Sequence, residues 1–168
     1  MKRIIYHVDV NSAFLSWEAV YRLYHLGGSL DIREIPSAIA GDQEKRRGII
    51  LAKSIPAQCR GVRTGEPIVS AKRKCPELFL APPNYRLYRR SSKAMMEILS
   101  RYTDKVEQYS IDEAFMDMTG CAGDAERTAV QLKETIFREL GFTVNVGVAE
   151  NKLLAKMASG FVKPNRVH

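Results

Sequence analysis

Apolar and polar residues alternate along some stretches of the chain and recur with helical spacing along others. Most of these stretches have the length of a single strand or helix. Short apolar or alternating runs, many rich in β-branched side chains, predict strands. These strands cover residues 4–10, 34–40, 48–53, 78–81, 105–109, 114–118 and 142–148. Apolar spacing of about 3.6 residues predicts helices, and the first begins at an N-cap, Asn11, and ends before Gly27. The other helices cover residues 56–60, 66–74, 85–102, 124–140 and 151–161.

The order of these elements predicts an α+β fold. Strands and helices alternate as in a ferredoxin-like layer, which is a mixed or antiparallel sheet with helices packed on it. Residues 28–74 contain a strand pair, with a polar loop at 41–47, and two short helices. We therefore expect a small α/β lobe inserted between the first helix and the rest of the layer.

Composition narrows the class of protein. The chain has 168 residues with 45% hydrophobic content, which is enough for a core and for one domain or two small ones. The first seven residues combine basic charge with only a short apolar run, which excludes a signal peptide and a membrane span. Three cysteines at spacings that match no zinc site indicate reduced thiols, and so a cytoplasmic protein.

Positive charge is concentrated in one segment. Residues 41–90 hold 12 lysines and arginines against four acids, whereas the remaining residues hold 14 against 15. A local excess of this kind favours a polyanionic partner such as nucleic acid or a triphosphate. A solvated basic face is the alternative, and charge alone does not separate the two.

The candidate chemistry lies at Asp112 and Glu113, two adjacent acids where the strand pair 105–109 and 114–118 turns. At a strand end both carboxylates can converge on one point, and Mg²⁺ is the usual occupant of such an oxygen site. Asp9 stands at the end of the first strand, another common position for a ligand-binding group. Taken singly, the acid pair is more often a solvated turn and Asp9 a capping residue.

Five groups of residues, in this order, resemble the motifs of the Y-family translesion DNA polymerases, and the resemblance covers nearly the whole chain. They are Asp9-Val10-Asn11-Ser12-Ala13-Phe14, Gly41-Asp42 with a basic stretch after it, Pro82-Pro83 before a long helix, Ser110-Ile111-Asp112-Glu113-Ala114-Phe115, and Val146-Gly147-Val148 followed by 151–159 and Lys163-Pro164-Asn165.

This resemblance implies a palm, formed by residues 1–27 and 75–168, and a fingers lobe at residues 28–74. The thumb and the C-terminal DNA-gripping domain of such polymerases lie outside this sequence, so we expect a monomeric N-terminal fragment of a longer protein. The implied partners are primer-template DNA and a deoxynucleoside triphosphate (dNTP), with no membrane. A sliding clamp is a further implied partner, through regions beyond this chain.

The implied reaction is template-directed transfer of a nucleotide to a primer 3′-hydroxyl, which two Mg²⁺ ions assist by clamping the attacking and leaving oxygens. By resemblance Asp9 and Asp112 bridge both ions, Glu113 holds the ion nearer the primer, and the Val10 carbonyl holds the ion on the triphosphate. The implied nucleotide-binding set is Asn11, Ser12, Ala13, Phe14, Lys53 and Lys163.

Two members of that set have particular roles. Phe14 matches the steric gate, an aromatic ring that leaves no room for a ribose 2′-hydroxyl; the alternative is a plain core residue of the first helix. Lys163 matches a lysine that reaches the triphosphate as a point charge. Lys152 and Lys156, one turn apart, are assigned to a solvated helix face.

Two departures from the family pattern bear on activity. Asn11 stands where many members have a second Asp, although the SOS-mutagenesis branch has the same Asn. Ile55 and Gln58 replace a Tyr and an Arg that bind the β and γ phosphates, which removes one charge-assisted contact. Unless Lys53 or nearby arginines compensate, nucleotide affinity is low.

Two other functions remain as alternatives to a DNA polymerase. A catalytically weak or inactive relative would use the basic lobe to bind DNA or a partner protein, but it has no reason to keep Asp9, Asp112 and Glu113 together. A nucleotide cyclase of palm-like architecture would also hold two metals on a carboxylate hairpin, but it has no use for the segment 151–163.

Overall fold

The computed structural model describes residues 2–41, 48–121 and 123–168, so the predicted loop 41–47 with its basic exit lies almost entirely outside the described residues. The chain divides into two compact units. The first comprises the residues up to Asn11 and Arg89–His168, and the second comprises Ser12–Tyr88. The predicted palm and fingers boundaries stay a prediction.

Every strand and helix predicted from the periodicity is present, most of them with shorter ends. The strands are β1 Ile5–Val10, β2 Ser37–Ala40, β3 Ile50–Lys53, β4 Phe79–Ala81, β5 Val106–Gln108, β6 Glu113–Asp117 and β7 Val144–Ala149. The helices are α1 Ala13–His25, α2 Ile55–Cys59, α3 Ile68–Lys74, α4 Tyr85–Leu99, α5 Ala125–Leu140 and α6 Lys152–Ser159. Among the described residues no helix is both long and apolar enough to cross a bilayer.

The first unit is built on a four-stranded antiparallel sheet in the order β5-β6-β1-β7. Helix α4 precedes the β5–β6 hairpin and α5 joins β6 to β7. This order, with two outer strands flanking β6 and β1, is the ferredoxin-like arrangement, so the predicted α+β fold class is confirmed.

Helix α6 packs on the face of this sheet that carries the odd-numbered residues of β1. Ile5, Phe115 and Ala155 form a buried cluster there, with Ala149 packed against it. The opposite face presents Tyr6 and other fully buried apolar side chains. Both faces of β1 are therefore covered, which explains why all six of its residues are buried.

The second unit contains a three-stranded sheet in the order β3-β2-β4, in which β2 pairs antiparallel with β3 and parallel with β4. Ser54 caps α2, since its hydroxyl accepts from the amide of Ala57 at 3.1 Å and from that of Ser37 at 3.0 Å. Two apolar clusters fill this unit, one of them built around Leu15 of α1 and Ile39 of β2. A mixed sheet with short helices is the α/β lobe that the sequence predicts.

The predicted start of α1 is wrong by one residue. The N-cap is Ser12, which has a left-handed backbone (φ 46°) and makes no side-chain capping bond, and the helix begins at Ala13. The side chain of Asn11 instead bonds to Asn145 and to the backbone amide of Asn165. An amide committed to those partners cannot also cap the helix.

Gly147 sets how closely α6 approaches the sheet. A β-carbon at this position would lie 2.5 Å from the amide nitrogen of Ser159 and closer still to the carbonyl oxygen of Ala155. We expect Gly147→Ala to push α6 off β7 and to lower the free energy of unfolding by about 3 kcal/mol or more, as overpacking of a tight backbone contact does. Urea denaturation of the two proteins measures this loss.

The matched control is Gly123→Ala, because a β-carbon at Gly123 meets no atom within 4 Å. We expect the control to unfold at the wild-type urea concentration. Equal stability of the Gly147 and Gly123 variants would contradict the close packing of α6.

Candidate functional site

The predicted acids lie together at one end of the first unit's sheet. In the register of β1 and β6, Asp9 stands directly opposite Glu113, so their side chains share one face. Asp112 precedes Glu113 in the turn, and its carbonyl oxygen accepts from the amide of Val10 at 3.0 Å. The hairpin and the end of β1 thus bring all three predicted carboxylates to the same edge.

Asp9 is the most deeply placed of the three acids, with 7% of its surface exposed. Burial raises the pKa of its carboxyl, and the nearby charges of Glu113 and Asp112 raise it further. The ammonium group of Lys163 contacts Oδ2 of Asp9 and opposes the rise, although the net shift remains upward. A positive group beside Asp9 therefore stabilises the ionised form of this carboxyl.

Glu113 also holds a lysine. The ammonium group of Lys156 contacts Oε2 of Glu113 and lies 4.7 Å from the ring centre of Tyr109. The assignment of Lys156 to a solvated helix face is thus wrong, because one turn of α6 aims it at the hairpin. Sequence spacing places Lys156 beside Lys152 on the helix, but contains no signal for a partner on a distant strand.

Asp112 is oriented by the residue two positions before it. The Ser110 hydroxyl donates to Oδ1 of Asp112 at 2.6 Å, and the backbone amide of Asp112 lies 3.3 Å from the same hydroxyl oxygen. The Ser-Ile-Asp-Glu sequence therefore folds as a local turn that fixes one carboxylate oxygen of Asp112 and leaves the acid half-exposed.

His7 lies next to these acids, and no motif in the sequence selects it. It is 1% exposed, its Nδ1 lies 2.7 Å from the Ser159 hydroxyl, and its Nε2 lies 3.6 Å from Oε2 of Glu113. Burial lowers the pKa of His7 to about 4; the charges of Lys156 and Lys163 also lower it, whereas Glu113 raises it. The ring is therefore neutral at pH 7.

The donor chemistry of this edge fits a divalent cation. Among residues 2–41, 48–121 and 123–168, no set of three His, Cys, Asp or Glu side chains is already arranged as a metal cage. The three acids are hard oxygen donors, and the charges of Glu113 and Asp112 help to raise the pKa of Asp9, which suits a Mg²⁺ ion with several open positions. Lys163 and Lys156 supply the positive charge on Asp9 and Glu113 in the structure, so a cation would have to compete with them.

The remaining predicted residues divide between the two units. Asn11 and Lys163 belong to the first, and the members in the second are Ser12, Ala13, Phe14 and Lys53. Within the second unit Phe14 is half-buried and stacks on Tyr88, with ring centres 4.5 Å apart and planes 6° from parallel. The ring therefore has a packing role whether or not it also contacts a sugar.

The replaced phosphate-binding positions, Ile55 and Gln58, lie on the surface of the second unit. Ile55, at the start of α2, is 55% exposed, and Gln58 is exposed one turn later. The ammonium group of Lys53 donates to the Thr64 hydroxyl at 3.3 Å. These positions are accessible to a ligand, but neither Ile55 nor Gln58 carries a charge for it.

The low pKa of His7 makes stability depend on pH. On acidification the His7 ring takes up a proton near pH 6.5 in the unfolded chain, but only near pH 4 in the folded chain. The contribution of neutral His7 to the free energy of unfolding is therefore complete above pH 6.5 and is lost as the pH falls towards 4. Between pH 7 and pH 4 in metal-free buffer, we expect the wild type to lose about 3 kcal/mol more unfolding free energy than His7→Gln, at about 1.36 kcal/mol per pKa unit.

The matched control is His25→Gln on α1, where the side chain is exposed. This variant should follow the wild-type dependence on pH in the same denaturant titrations. If His7→Gln loses as much stability as the wild type on acidification, the burial of a neutral His7 is wrong.

Comparison with known proteins places this geometry in a family. Residues 8–160 match the model of the impB/mucB/samB family. DNA polymerase IV of Clostridium acetobutylicum is 50% identical over 170 residues, with 100% of this chain and 43% of that protein covered. DNA polymerase IV 1 of Bacillus subtilis is 44% identical, with 96% of this chain and 38% of that protein covered. The chain thus spans about two fifths of the length of these curated relatives.

Solved structures agree with the sequence matches. The crystal structure of DinB from Sulfolobus solfataricus has a TM-score of 0.86 and 28% identity, and the match covers 98% of this chain and 47% of that one. A post-insertion binary complex of Dbh DNA polymerase has a TM-score of 0.85 and 29% identity, over 98% of this chain and 47% of that one. The chain therefore belongs to the impB/mucB/samB family, within the Y-family DNA polymerases that its motifs indicate.

Proposed function

We propose that this chain is the catalytic region of a low-fidelity translesion DNA polymerase, which adds a nucleotide from a dNTP to a primer 3′-hydroxyl during DNA damage tolerance. The observation that supports this most is the edge where Asp9, Asp112 and Glu113 meet and Lys163 contacts Asp9. Three acids with a part-exposed ammonium group beside them suit a reaction that uses metal ions and a triphosphate.

In this proposal the acids hold two Mg²⁺ ions. Asp9, Asp112 and Glu113 would supply carboxylate ligands to these ions, Glu113 on the primer side, and Val10 would supply its carbonyl oxygen on the triphosphate side. When bound, the ions activate the attacking hydroxyl and neutralise the leaving pyrophosphate. The protein contributes a rigid base, since Asp9 and Glu113 are fixed by strand pairing and Asp112 by Ser110.

Lys163 and Lys156 supply positive charge to these acids. Each ammonium group contacts one acid, and the two lysine side chains are 45% and 40% exposed, respectively. With a metal ion held at Asp9, Lys163 would be free to pair its ammonium group with a triphosphate oxygen. Its flexible stem and compact charge suit such an exchange.

The sugar and the rest of the triphosphate are assigned to the second unit's residues and to Asn11. Phe14 excludes the ribose 2′-hydroxyl, and Ser12, Ala13 and Lys53 line the nucleotide. Because Ile55 and Gln58 carry no charge, we expect weak phosphate binding compared with a site that has an arginine. Primer-template DNA and, through regions of a longer protein, a sliding clamp are the proposed partners.

A catalytically weak relative that binds DNA or a partner protein is the second candidate. The exposed, uncharged Ile55 and Gln58 are the observation that favours it. Retention of three clustered acids at one edge favours the enzyme.

Metal-dependent nucleotide binding is the first test. Calorimetric titration of the chain with a dNTP in Mg²⁺ should give binding that disappears in EDTA and weakens at least about tenfold in Asp112→Asn, the loss of one charged ligand contact. The matching ribonucleoside triphosphate should bind more weakly, because Phe14 occupies the space of its 2′-hydroxyl.

The control variant is Asp104→Asn, which changes an exposed acid of the same unit and should bind like the wild type. Binding that is indifferent to Mg²⁺ and to Asp112, or no binding at millimolar dNTP, would contradict the proposed catalytic site and favour the weak relative.

A further inference from the structure

Asn145 is a fully buried amide on β7, directly opposite Asp9 in the register of β1 and β7. A buried amide is stabilising only when its donors and acceptor are paired, so its partners indicate what it does. All of these partners lie on chain segments around the acid edge, which is the end of the sheet that carries Asp9, Asp112 and Glu113. Neither the sequence motifs nor the family resemblance selected this residue.

Both the amide nitrogen and the amide oxygen of the Asn145 side chain form hydrogen bonds. Its Nδ2 donates to the carbonyl oxygens of Ser159 at 2.9 Å and Val162 at 2.7 Å. Its Oδ1 accepts from Nδ2 of Asn11 at 3.1 Å and from the backbone amide of Arg166 at 3.1 Å. One side chain thus joins the end of α6, the segment 162–166 and the end of β1.

Asn11 adds a further bond to the same segment. Its Oδ1 accepts from the backbone amide of Asn165 at 2.9 Å. The two amides therefore fix the backbone on both sides of Lys163, at Val162 before it and at Asn165 and Arg166 after it. Lys163 is the residue whose ammonium group contacts Asp9.

We infer that Asn145 is a positioning residue, which acts together with Asn11 to hold the segment 162–166 so that the ammonium group of Lys163 lies at the acid edge. The inference rests on the proposed function for what Lys163 then does, namely to move from Asp9 to a triphosphate oxygen. With the backbone held by Asn145 and Asn11, that exchange needs rotation of one side chain only.

The chemistry of an amide explains why asparagine stands at both positions. An aspartate at 145 would lose the two donated bonds and add a fourth carboxylate beside Asp9. A serine would offer one donor where two carbonyl oxygens need one each. The Asn at position 11, a departure from the family's second Asp, likewise supplies a donor to Asn145 that a carboxylate lacks.

The first experiment needs no nucleotide. The rate at which an amine-reactive acetylating reagent modifies Lys163, measured by mass spectrometry, should rise at least threefold in Asn145→Ala, because the released segment no longer holds the ammonium group on Asp9. The rate at Lys105, in the same protein, should not change. Hydrogen exchange of the segment 162–166 should accelerate at least tenfold in the same variant.

Asn151→Ala is the matched control, since Asn151 caps α6 through the amide of Leu154 and, among the described residues, its side chain is not hydrogen-bonded to the segment 162–166. It should leave both rates at Lys163 and at 162–166 unchanged. Where Asn145→Ala does not fold, Asn11→Ala removes the bonds of Asn11 to Asn165 and to Asn145 and should raise the same rates. Unchanged rates in both asparagine variants would overturn the inference.

The second experiment links the amide to Lys163 in nucleotide binding. In Mg²⁺, Asn145→Ala and Lys163→Ala should each weaken dNTP binding several-fold, and the double variant should bind like Lys163→Ala alone, because both changes remove one interaction. Additive losses would overturn the positioning role. A wild type that binds no dNTP contradicts the proposed function, and the acetylation and exchange rates still decide whether Asn145 positions Lys163.

Discussion

Mutual repulsion of three carboxylates at one end of a sheet is the constraint on which the rest of the first unit depends. Asp9 and Glu113 face each other across paired strands, and Asp112 adjoins them in the turn. Such a group is stable only with positive charge beside it. Two lysines from outside the sheet supply that charge, and the surrounding structure holds them there.

The helix α6 and the segment after it bring these lysines to the acids. Gly147 lets α6 lie close to β7, which directs Lys156 to Glu113 and seats Ser159 against His7. The buried amide of Asn145 then ties the segment beyond α6 to the strand end. Packing and hydrogen bonding thus fix the backbone, while the side chains of the two lysines remain part-exposed.

Local patterns were sufficient to predict most of the fold. Strand and helix periods predicted each strand and helix of the described residues, and a local cap begins α4, where Oδ1 of Asn84 accepts from the amide of Leu87 at 3.1 Å. The N-cap at Asn11 was wrong because a contact 134 residues away, with Asn145, takes the side chain. Local sequence favours a cap, but it holds no information about a partner brought in by a later strand.

The candidate site likewise contains residues that the sequence predicts and residues that it does not. The acids could be predicted because motif and strand ends both mark them, whereas His7, Lys156 and Asn145 act through contacts between distant segments. A histidine in an apolar strand reads as a core residue, and a lysine on a helix reads as solvated. The register of β1 with β6 and β7 places His7 and Asn145 beside the acids, and the packing of α6 on the sheet brings Lys156 to Glu113.

The most direct test of the central claim is a crystal structure with Mn²⁺ and a non-hydrolysable dNTP analogue, in which anomalous scattering locates the metal. We expect metal between Asp9 and Asp112, with Glu113 close by, and the ammonium group of Lys163 moved from Asp9 to a phosphate oxygen. Metal bound elsewhere, or bound nucleotide with Lys163 still on Asp9, would contradict the claim that this edge exchanges lysine for metal.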